Sequence, residues 1–282
     1  MKRKGGYMLE LSESYTIAKQ MKEVLKDKIV SEVIVLQSPH RFAWFWGEQD
    51  LFEEQLEGKQ VTGANYYSGI IELELEDMRV VFADGAYPRY YDDPKKFPKK
   101  SQLFIRFDDD TAVVASVQMY GFMGVFEEGT CENEHYLSSK EKITPLMEAF
   151  TYEYFKQVYE QSKGKKVSAK AFLGTQQRFP GIGNGTLQDI LYQAGLHPRC
   201  NMASLTEEEF YKLYTCTCEV VRQMCEEGGR DTEKDLLGNP GNYQTWLSKK
   251  TLWTPCTKCG YELRKASYLG GTIYFCEHCQ RE

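Results

Sequence analysis

The cysteines near the C-terminus are the residues whose spacing most directly indicates chemistry. Cys256 and Cys259 form one Cys-x2-Cys pair, and Cys276 and Cys279 form a second pair after sixteen intervening residues. Two such pairs joined by a hairpin place four thiolates around one zinc ion and leave no coordination position open. The sequence therefore predicts a structural zinc ribbon, in which His278 is an exposed neighbour and not a ligand.

A glycine-rich segment, FPGIGNGT over residues 179–186, precedes a predicted helix. Gly181 and Gly183 permit a tight turn, and Asn184 begins the helix, so its side chain and the free backbone N–H groups lie at the positive helix end. This arrangement suits a phosphate group. The alternative is an ordinary helix cap, because short glycine motifs indicate binding only in the right structural context.

Two carboxylates, Glu10 and Glu13, lie in the segment MLELSE near the N-terminus. They precede or begin a predicted helix over roughly residues 12–28, for which Ser12 or Ser14 is the expected cap. From the residues alone, acidic side chains in a first helical turn are explained by the favourable charge at that helix end and need no further role.

Hydrophobic periodicity predicts the order of the remaining elements. Alternating apolar and polar residues between about 30 and 125 predict the strands of a β-sandwich. Helical spacing follows over 140–228, where Ser204 and Glu207 are predicted to form a capping box. We therefore predict an α+β protein: an N-terminal β-sandwich over residues 8–139, a helical module over 140–250 and a zinc ribbon over 251–282.

Composition limits the class of protein. The 282 residues carry a net charge of -6, which does not favour a simple basic nucleic-acid binder. Residues 165–282, however, contain 15 Lys and Arg against 13 Asp and Glu, so this part can present a basic face to phosphate. No apolar run reaches the roughly 20 residues of a membrane span. We expect a monomer in the bacterial cytoplasm, without membrane contact.

Two aromatic segments leave alternatives open. SPHRFAWFWG over residues 38–47 contains His40, Trp44 and Trp46 and is either a base-stacking surface or a strand that packs on the core and the sheet edge. AYPRYYDDPKKFPKK over residues 86–100 is predicted to be a long loop. It either lines a DNA-binding surface through Arg89 and its tyrosines or is a solvated connection.

A β-rich domain, a helical segment with AKAFLGTQQRFPGIGN over residues 169–184 and a four-cysteine ribbon together resemble the formamidopyrimidine-DNA glycosylase and endonuclease VIII family. MLELSE is similar to that family's N-terminal Met-Pro-Glu-Leu-Pro-Glu. The resemblance extends from Met8 to the C-terminus. It implies a helix-two-turns-helix DNA-binding module and removal of oxidised bases from DNA, which many members follow by cutting the strand through a Schiff base on their N-terminal amine.

The resemblance implies a catalytic set at the N-terminus. Glu10 matches the family's glutamate that acts as general acid and base at the sugar, and Glu13 matches the next glutamate of the motif. Leu9 stands in place of the nucleophilic proline, so the free amine would belong to Met8 if the protein began there. Strand cleavage through this amine is therefore doubtful.

The resemblance also implies residues that bind DNA. Lys170 and Asn184 match the family's phosphate-binding lysine and asparagine, and Gln176 matches the glutamine before the turn. Lys249 and Lys250 are further candidates for contact with DNA.

Several positions depart from the family pattern. Gly69 aligns with the family's hairpin lysine. Gln118 and Tyr120 replace the arginine and phenylalanine that fill the gap left by an extruded base, although Tyr120 retains a ring that can enter the stack. Gly270 and Gly271 form the predicted tip of the ribbon hairpin, and Gly271 stands where the family's arginine grips the phosphates beside the lesion.

The first seven residues raise a question of translation start. Lys4-Gly5-Gly6 can be encoded by a stretch containing AAGGAGG, which resembles a bacterial ribosome-binding site just before Met8. We therefore expect Met8 to be the true start. Two functions follow from the whole pattern: an N-glycosylase that excises damaged bases with Glu10 as the catalytic carboxylate, or a catalytically silent protein that binds damaged or bent DNA.

Overall fold

The structure of the protein is a computed structural model that describes residues 9–162 and 166–282. The described chain divides into two compact units. The sheet unit contains residues 9–141 and 233–240, and the helical unit contains the remaining described residues, 142–162, 166–232 and 241–282. Helices and a sheet are both present, so the predicted α+β class is confirmed.

The sheet unit contains seven strands and three α-helices. In chain order they are α1 (Leu11–Val24), β1 (Val30–Val35), β2 (Ala43–Trp46), α2 (Phe52–Leu56), β3 (Val61–Tyr67), β4 (Ile70–Leu75), β5 (Met78–Tyr91), β6 (Leu103–Phe107), β7 (Ala112–Glu127) and α3 (Glu134–Glu141).

One hydrogen-bonded sheet contains all seven strands. Six of them follow the order β1-β6-β7-β5-β4-β3, and β2 pairs with β7 in parallel. Residues from both ends of this order, such as Val33 of β1 and Ala64 of β3, belong to one hydrophobic core together with Phe82 of β5. The long central strands β5 and β7 therefore carry a sheet whose two halves enclose a common apolar interior.

Helix α1 packs its apolar face into this core through Ile17 and Met21, and its C-cap residue Leu25 follows them; all three are fully buried. The predicted cap was wrong. Glu10 occupies the N-cap position in an extended conformation, and the Ser14 hydroxyl instead donates to the carbonyl oxygens of Leu11 and Ser68. The helix therefore begins at Leu11, where the chain leaves the extended conformation.

The predicted loop over residues 86–100 was also wrong in its first half. Residues 86–91 continue β5 and pair with residues 112–117 of β7, with Pro88 opposite Ala115. Proline and aspartate in the segment indicated a loop, but the pairing partner lies about 25 residues downstream, beyond the reach of a local pattern.

The helical unit contains α4 (Tyr152–Glu160), α5 (Ala169–Gly174), α6 (Asn184–Ala194), α7 (Glu207–Glu226), β8 (Arg264–Tyr268) and β9 (Gly271–Phe275). Its core is aromatic: the Phe155 ring lies 5.1 Å from the rings of both Phe172 and Phe179. Across residues 9–162 and 166–282, the helices all fall short of the length and apolarity that a bilayer span requires.

The capping box of α7 lies two residues beyond its predicted place. Thr206 accepts a hydrogen bond from the Glu209 N–H, and the Glu209 carboxylate accepts one from the Thr206 N–H. Ser204 belongs to a short 3-10 turn and donates to the Asn201 carbonyl. The segment SLTEEE contains the capping spacing twice, so the pattern alone does not choose between them.

A segment of the predicted loop after α7 returns to the sheet unit. Leu236 is fully buried in the sheet core, its carbonyl accepts a hydrogen bond from the Tyr90 N–H, and its N–H donates to the Gln20 side chain. The Gln20 amide also donates to Asp235. These bonds explain why residues 233–240 form part of the sheet unit.

Candidate active site and nucleic-acid interface

The residue before the predicted catalytic glutamate is built into the sheet unit. The Leu9 side chain is buried in the core, and its N–H donates to the Asp84 carbonyl at 2.7 Å. Asp84 has a φ of 56° at an irregularity in the pairing of β5 with β7, which turns this carbonyl toward Leu9. Met8 lies outside the described residues, so its catalytic assignment stays a prediction.

The turn between β3 and β4 lies directly against Leu9. A β-carbon on Gly69 would lie 2.4 Å from the Leu9 carbonyl oxygen, closer than non-bonded atoms tolerate. Any side chain at this position, including the lysine that the family resemblance implies, would require the backbone to move. The two positions that depart from the family pattern, Leu9 and Gly69, are therefore in direct contact with each other.

Both candidate carboxylates are buried. Glu10 is 6% exposed and Glu13 is 3% exposed, and the Ser12 hydroxyl donates to Glu13 at 3.0 Å. Carboxylates that only charged a first helical turn would be expected to remain in water, because burial of a carboxylate is unfavourable. Their burial favours a specific role at this end of α1.

Lys170 and Asn184 are brought together in the helical unit. The Lys170 ammonium donates to the Asn184 side-chain oxygen at 2.7 Å and to the Tyr268 carbonyl at 2.9 Å. Asn184 in turn donates to the Thr272 carbonyl at 2.9 Å. The Asn184 side chain thus bonds to the β8–β9 hairpin and makes no cap for α6, whose N-cap residue is Gly183. The cap interpretation was wrong.

Gly271 completes this lysine–asparagine site. A β-carbon there would lie 3.2 Å from both the Lys170 ammonium and the Asn184 oxygen. The tip of the hairpin lies one residue earlier than predicted, because Leu269 and Gly270 have positive φ values of 47° and 77° while Gly271 begins β9. This is the conformation of a two-residue hairpin turn.

Electrostatics make the lysine–asparagine site ready for an anion. Burial lowers the pKa of Lys170 to about 8, because desolvation disfavours the charged form. Its hydrogen-bond partners are neutral, and within the described part of the chain desolvation is the one influence on its charge, with no carboxylate acting on it. A phosphate would supply the missing negative charge.

The other DNA-binding candidates of the helical unit differ in their surroundings. Gln176 is exposed, has a φ of 59° and accepts a hydrogen bond from Arg178 at 2.6 Å. Lys249 is exposed, whereas Lys250 forms an ion pair with Asp231 at 3.0 Å. Lys250 would have to leave Asp231 before its full charge could bind phosphate.

Gln118 and Tyr120 lie on β7 of the sheet unit. Gln118 is exposed, and the Tyr120 ring lies 6.3 Å from the ring of Trp44 on β2. Phe45 and Trp46 pack against the hydrophobic clusters of the sheet unit, whereas Trp44 remains 50% exposed. Core packing therefore explains Phe45 and Trp46 of the aromatic segment 38–47, but it does not explain the exposed ring of Trp44.

The four cysteine sulfurs meet at one point. All lie within 4.8 Å of one another, with 3.7 Å between Cys256 and Cys279 and 3.5 Å between Cys259 and Cys276. Four sulfurs at about 2.3 Å from a zinc ion are about 3.8 Å apart. The cluster therefore has the dimensions and the ligands to hold a metal ion of that kind.

Three hydrogen bonds to backbone carbonyls were not anticipated from the sequence. In the sheet unit, the Ser68 carbonyl accepts a hydrogen bond from the Ser14 hydroxyl, beside Gly69. In the helical unit, the Tyr268 carbonyl accepts one from Lys170 and the Thr272 carbonyl accepts one from Asn184. The dipeptides Ser68-Gly69 and Gly270-Gly271 were available as turn signals between strands. Backbone carbonyls, however, carry no signature in the residue types.

Comparisons with known proteins identify the fold of the chain. Residues 143–235 match the formamidopyrimidine-DNA glycosylase H2TH domain. The fold is that of the Lactococcus lactis Fpg in complex with DNA containing an abasic site, with a TM-score of 0.82, 21% identity and coverage of 97% of this chain and 100% of that one. The Fpg (MutM) protein of Thermus thermophilus gives a TM-score of 0.78 and 22% identity over 96% and 98% of the two chains. The protein has the fold of a helix-two-turns-helix DNA glycosylase.

Curated relatives agree over nearly the full length. The formamidopyrimidine-DNA glycosylase of Brevibacillus brevis is 26% identical over 97% of this chain and 99% of its own, and that of Lactobacillus delbrueckii subsp. bulgaricus is 24% identical over 97% and 100%. The chain is thus similar over nearly its full length to proteins named formamidopyrimidine-DNA glycosylase, and residues 143–235 match the H2TH domain of that family.

Proposed function

We propose that this protein is a DNA-repair N-glycosylase that excises a damaged base flipped out of duplex DNA. The observation that carries the proposal is the buried carboxylate of Glu10 at the N-terminus of α1. The sequence resemblance matches this residue to the family's catalytic glutamate. The names of the relatives, and the abasic-site DNA in the related Lactococcus lactis structure, support the same substrate class.

Glu10 is assigned the central chemical role. As a carboxylate it activates water for attack on the sugar carbon and stabilises the positive charge that develops when the base departs. Glu13, buried one helical turn further on and bonded to Ser12, supports this end of the helix. The reaction breaks the bond between base and sugar and leaves an abasic site.

Subsequent strand cleavage by a lyase step is not part of the proposal. The Leu9 nitrogen is a peptide N–H that donates to Asp84, and an amide nitrogen is not a nucleophile. Gly69 also lacks the amine of the family's hairpin lysine. We therefore propose a monofunctional glycosylase, in which neither of these two positions forms a Schiff base.

DNA docking is assigned to both units. Lys170 and Asn184 bind a phosphate beside the lesion, with Gln176, Lys249 and Lys250 as further contacts. Gln118 and Tyr120 enter the gap that the extruded base leaves. The protein would act as a monomer on DNA of the bacterial cytoplasm.

A zinc ion at Cys256, Cys259, Cys276 and Cys279 would have a structural role, because four thiolates leave no position for substrate. The hairpin between the cysteine pairs supplies the Tyr268 and Thr272 carbonyls to the lysine–asparagine site. These cysteines would therefore support DNA binding by holding that hairpin in shape.

The Glu10→Gln variant tests the proposal on duplexes that carry a set of oxidised or alkylated bases. We expect loss of base release, detected as strand breaks after alkali, with DNA affinity retained. Glu23→Gln, an exposed position on the same helix, is the matched control and should keep full activity. Wild-type protein that binds these duplexes but releases no base would support the alternative, a silent damaged-DNA-binding protein.

Borohydride treatment of the same reactions separates the two modes of cleavage. A monofunctional enzyme gives no covalent complex with DNA, because no Schiff base forms. A trapped complex would overturn this part of the proposal and would direct the search to an amine elsewhere in the chain.

A further inference from the structure

Two exposed aromatic rings and one half-buried ring adjoin one another on the sheet unit, and we call them the β2 aromatic surface: Phe42, Trp44 and Tyr120. The Trp44 ring lies 6.2 Å from Phe42 and 6.3 Å from Tyr120. Trp44 is 50% exposed and Phe42 is 36% exposed. Exposed aromatic side chains in contact with one another indicate a binding surface more than a packing defect.

The local fold explains why Trp44 points away from the core. In β2, Ala43 and Phe45 pack against the main hydrophobic core, and alternate residues of a strand face opposite sides. Trp46 lies on the same side as Trp44 but is covered by the second hydrophobic cluster. Trp44 lies two residues before Trp46 in the strand, beyond this cluster, and its side chain remains half exposed.

An open pocket of about 600 Å³ adjoins this surface. Its described lining includes the apolar residues Trp44 and Phe45 and the polar residues Arg41, His40 and Gln49, and it contains no carboxylate. A volume of this size suits a small planar ligand. The lining therefore combines aromatic residues with hydrogen-bonding groups and a positive charge.

Two contacts orient the polar groups. The Arg41 guanidinium lies 5.3 Å from the centre of the Phe42 ring. His40 accepts the Phe42 N–H at Nδ1, at 3.3 Å, so a neutral His40 carries its proton on Nε2 and presents a donor there. A base with ring acceptors and a neighbouring phosphate would match these donors.

The pairing of β2 with β7 connects this surface to the residues assigned to the gap in the DNA. Ala43 pairs with Gly121, and the Gly121 N–H donates to the Phe42 carbonyl at 3.0 Å. The start of β2 thus lies beside the residue that follows Tyr120. A base that left the stack next to Tyr120 would meet the Trp44 ring.

We infer that Trp44, Phe42 and Arg41 form a second nucleobase site, which stacks the unpaired base opposite the lesion. This inference rests on the proposed function, because it requires Gln118 and Tyr120 to enter the duplex. Aromatic rings bind unpaired bases without regard to sequence, since every base has a flat face. The site would hold the orphaned base while the damaged one occupies the catalytic site.

The test compares Trp44→Leu with Trp253→Leu, a matched substitution at the highly exposed tryptophan of the helical unit. The probe is a duplex with a stable abasic-site analogue opposite 2-aminopurine, and the reference is the same duplex with 2-aminopurine paired to thymine. Neither duplex requires base release, so the outcome does not depend on Glu10 chemistry.

We expect Trp44→Leu to weaken binding to the abasic duplex about tenfold, in the range of a lost base–aromatic stack, and to leave the paired duplex within twofold. 2-Aminopurine emission should be quenched in the wild-type complex and restored with Trp44→Leu. Trp44→Phe should recover most of the affinity, and Trp253→Leu should match wild type. Retained binding to the paired duplex shows that the variant is folded.

Equal affinity of Trp44→Leu and wild type for the abasic duplex would overturn the inference, as would an equal loss on both duplexes. A wild-type protein that releases bases but shows either result would leave the proposed function intact. A protein that shows the expected Trp44 effect but releases no base would retain the second base site and lose the glycosylase assignment. Absence of binding to both duplexes would overturn both.

Discussion

A β-carbon on residue 69 would lie 2.4 Å from the carbonyl oxygen of Leu9, so Gly69 and Leu9 are in direct backbone contact. The turn between β3 and β4 therefore positions the residue that precedes Glu10. The Ser14 hydroxyl, which donates to the Ser68 carbonyl, joins the same turn to α1. Helix, turn and catalytic candidate form one structural piece.

Gly69→Ala should lower the free energy of unfolding of the sheet unit by about 1–3 kcal/mol, the usual effect of overpacking. Urea denaturation measures this. Gly129→Ala sets the scale for a glycine in open space, where only its φ of 80° opposes a side chain and the loss is about 1 kcal/mol. An unchanged urea midpoint for Gly69→Ala would mean that the Leu9 carbonyl can move away without lowering the free energy of unfolding.

Lys170→Met should weaken binding to any duplex about tenfold, because one phosphate contact and its charge are lost. The dependence of log affinity on log salt concentration should fall by about one unit for the same reason. Lys156→Met, an exposed lysine on α4, is the control and should change neither quantity. A full salt slope in Lys170→Met would exclude a phosphate contact at this lysine.

The same lysine predicts a pH dependence of DNA binding. Burial lowers the pKa of Lys170 to about 8, so above that pH the free protein holds a neutral amine at the site. The wild-type affinity should therefore fall as the pH rises through about 8, while the affinity of Lys170→Met should be flat over that range. Parallel titration curves for the two proteins would contradict this assignment.

Metal analysis should find one zinc ion per chain, and Cys279→Ser should reduce the content and release the hairpin. Lys170 and Asn184 would then lose the Tyr268 and Thr272 carbonyls, so DNA affinity should fall with the zinc content. Cys218→Ser, a half-buried cysteine of α7, is the control. Full DNA affinity in zinc-free protein would show that the hairpin holds its shape unaided.

Asp189 predicts a pH dependence of stability in the helical unit. Burial raises the pKa of Asp189 to about 7, despite hydrogen bonds from the N–H groups of Trp246 and Leu247. A folded pKa above the unfolded value means that the stabilisation is complete below about pH 4 and is lost as the pH rises through about 7.

Asp189→Asn carries no titrating group and should lack this loss. The stability of wild type relative to Asp189→Asn should therefore decrease by about 3 kcal/mol between pH 5 and pH 8, given about 1.4 kcal/mol for each of the two pH units between 5 and the folded pKa. Urea denaturation at the two pH values gives the difference. A constant difference would mean that the hydrogen bonds from residues 246 and 247 keep the carboxylate ionised at both.

The sequence by itself determined the features that depend on local spacing. The two cysteine pairs, the alternation of the strands and the helical period of α1 and α7 each arise from residues close together in the chain. Where the local pattern was ambiguous it failed, as in SLTEEE, which offers two capping boxes, and in residues 86–91, whose strand pairing comes from a distant segment.

The tertiary structure alone decided the contacts between distant segments. It showed that Gly69 lies against Leu9, that Asn184 bonds to the hairpin of the ribbon, and that Trp44 stays exposed while Trp46 is covered. The physical reason is that residue types encode local conformation and the tendency to be buried, whereas these contacts depend on where the backbone carbonyls of remote strands come to lie.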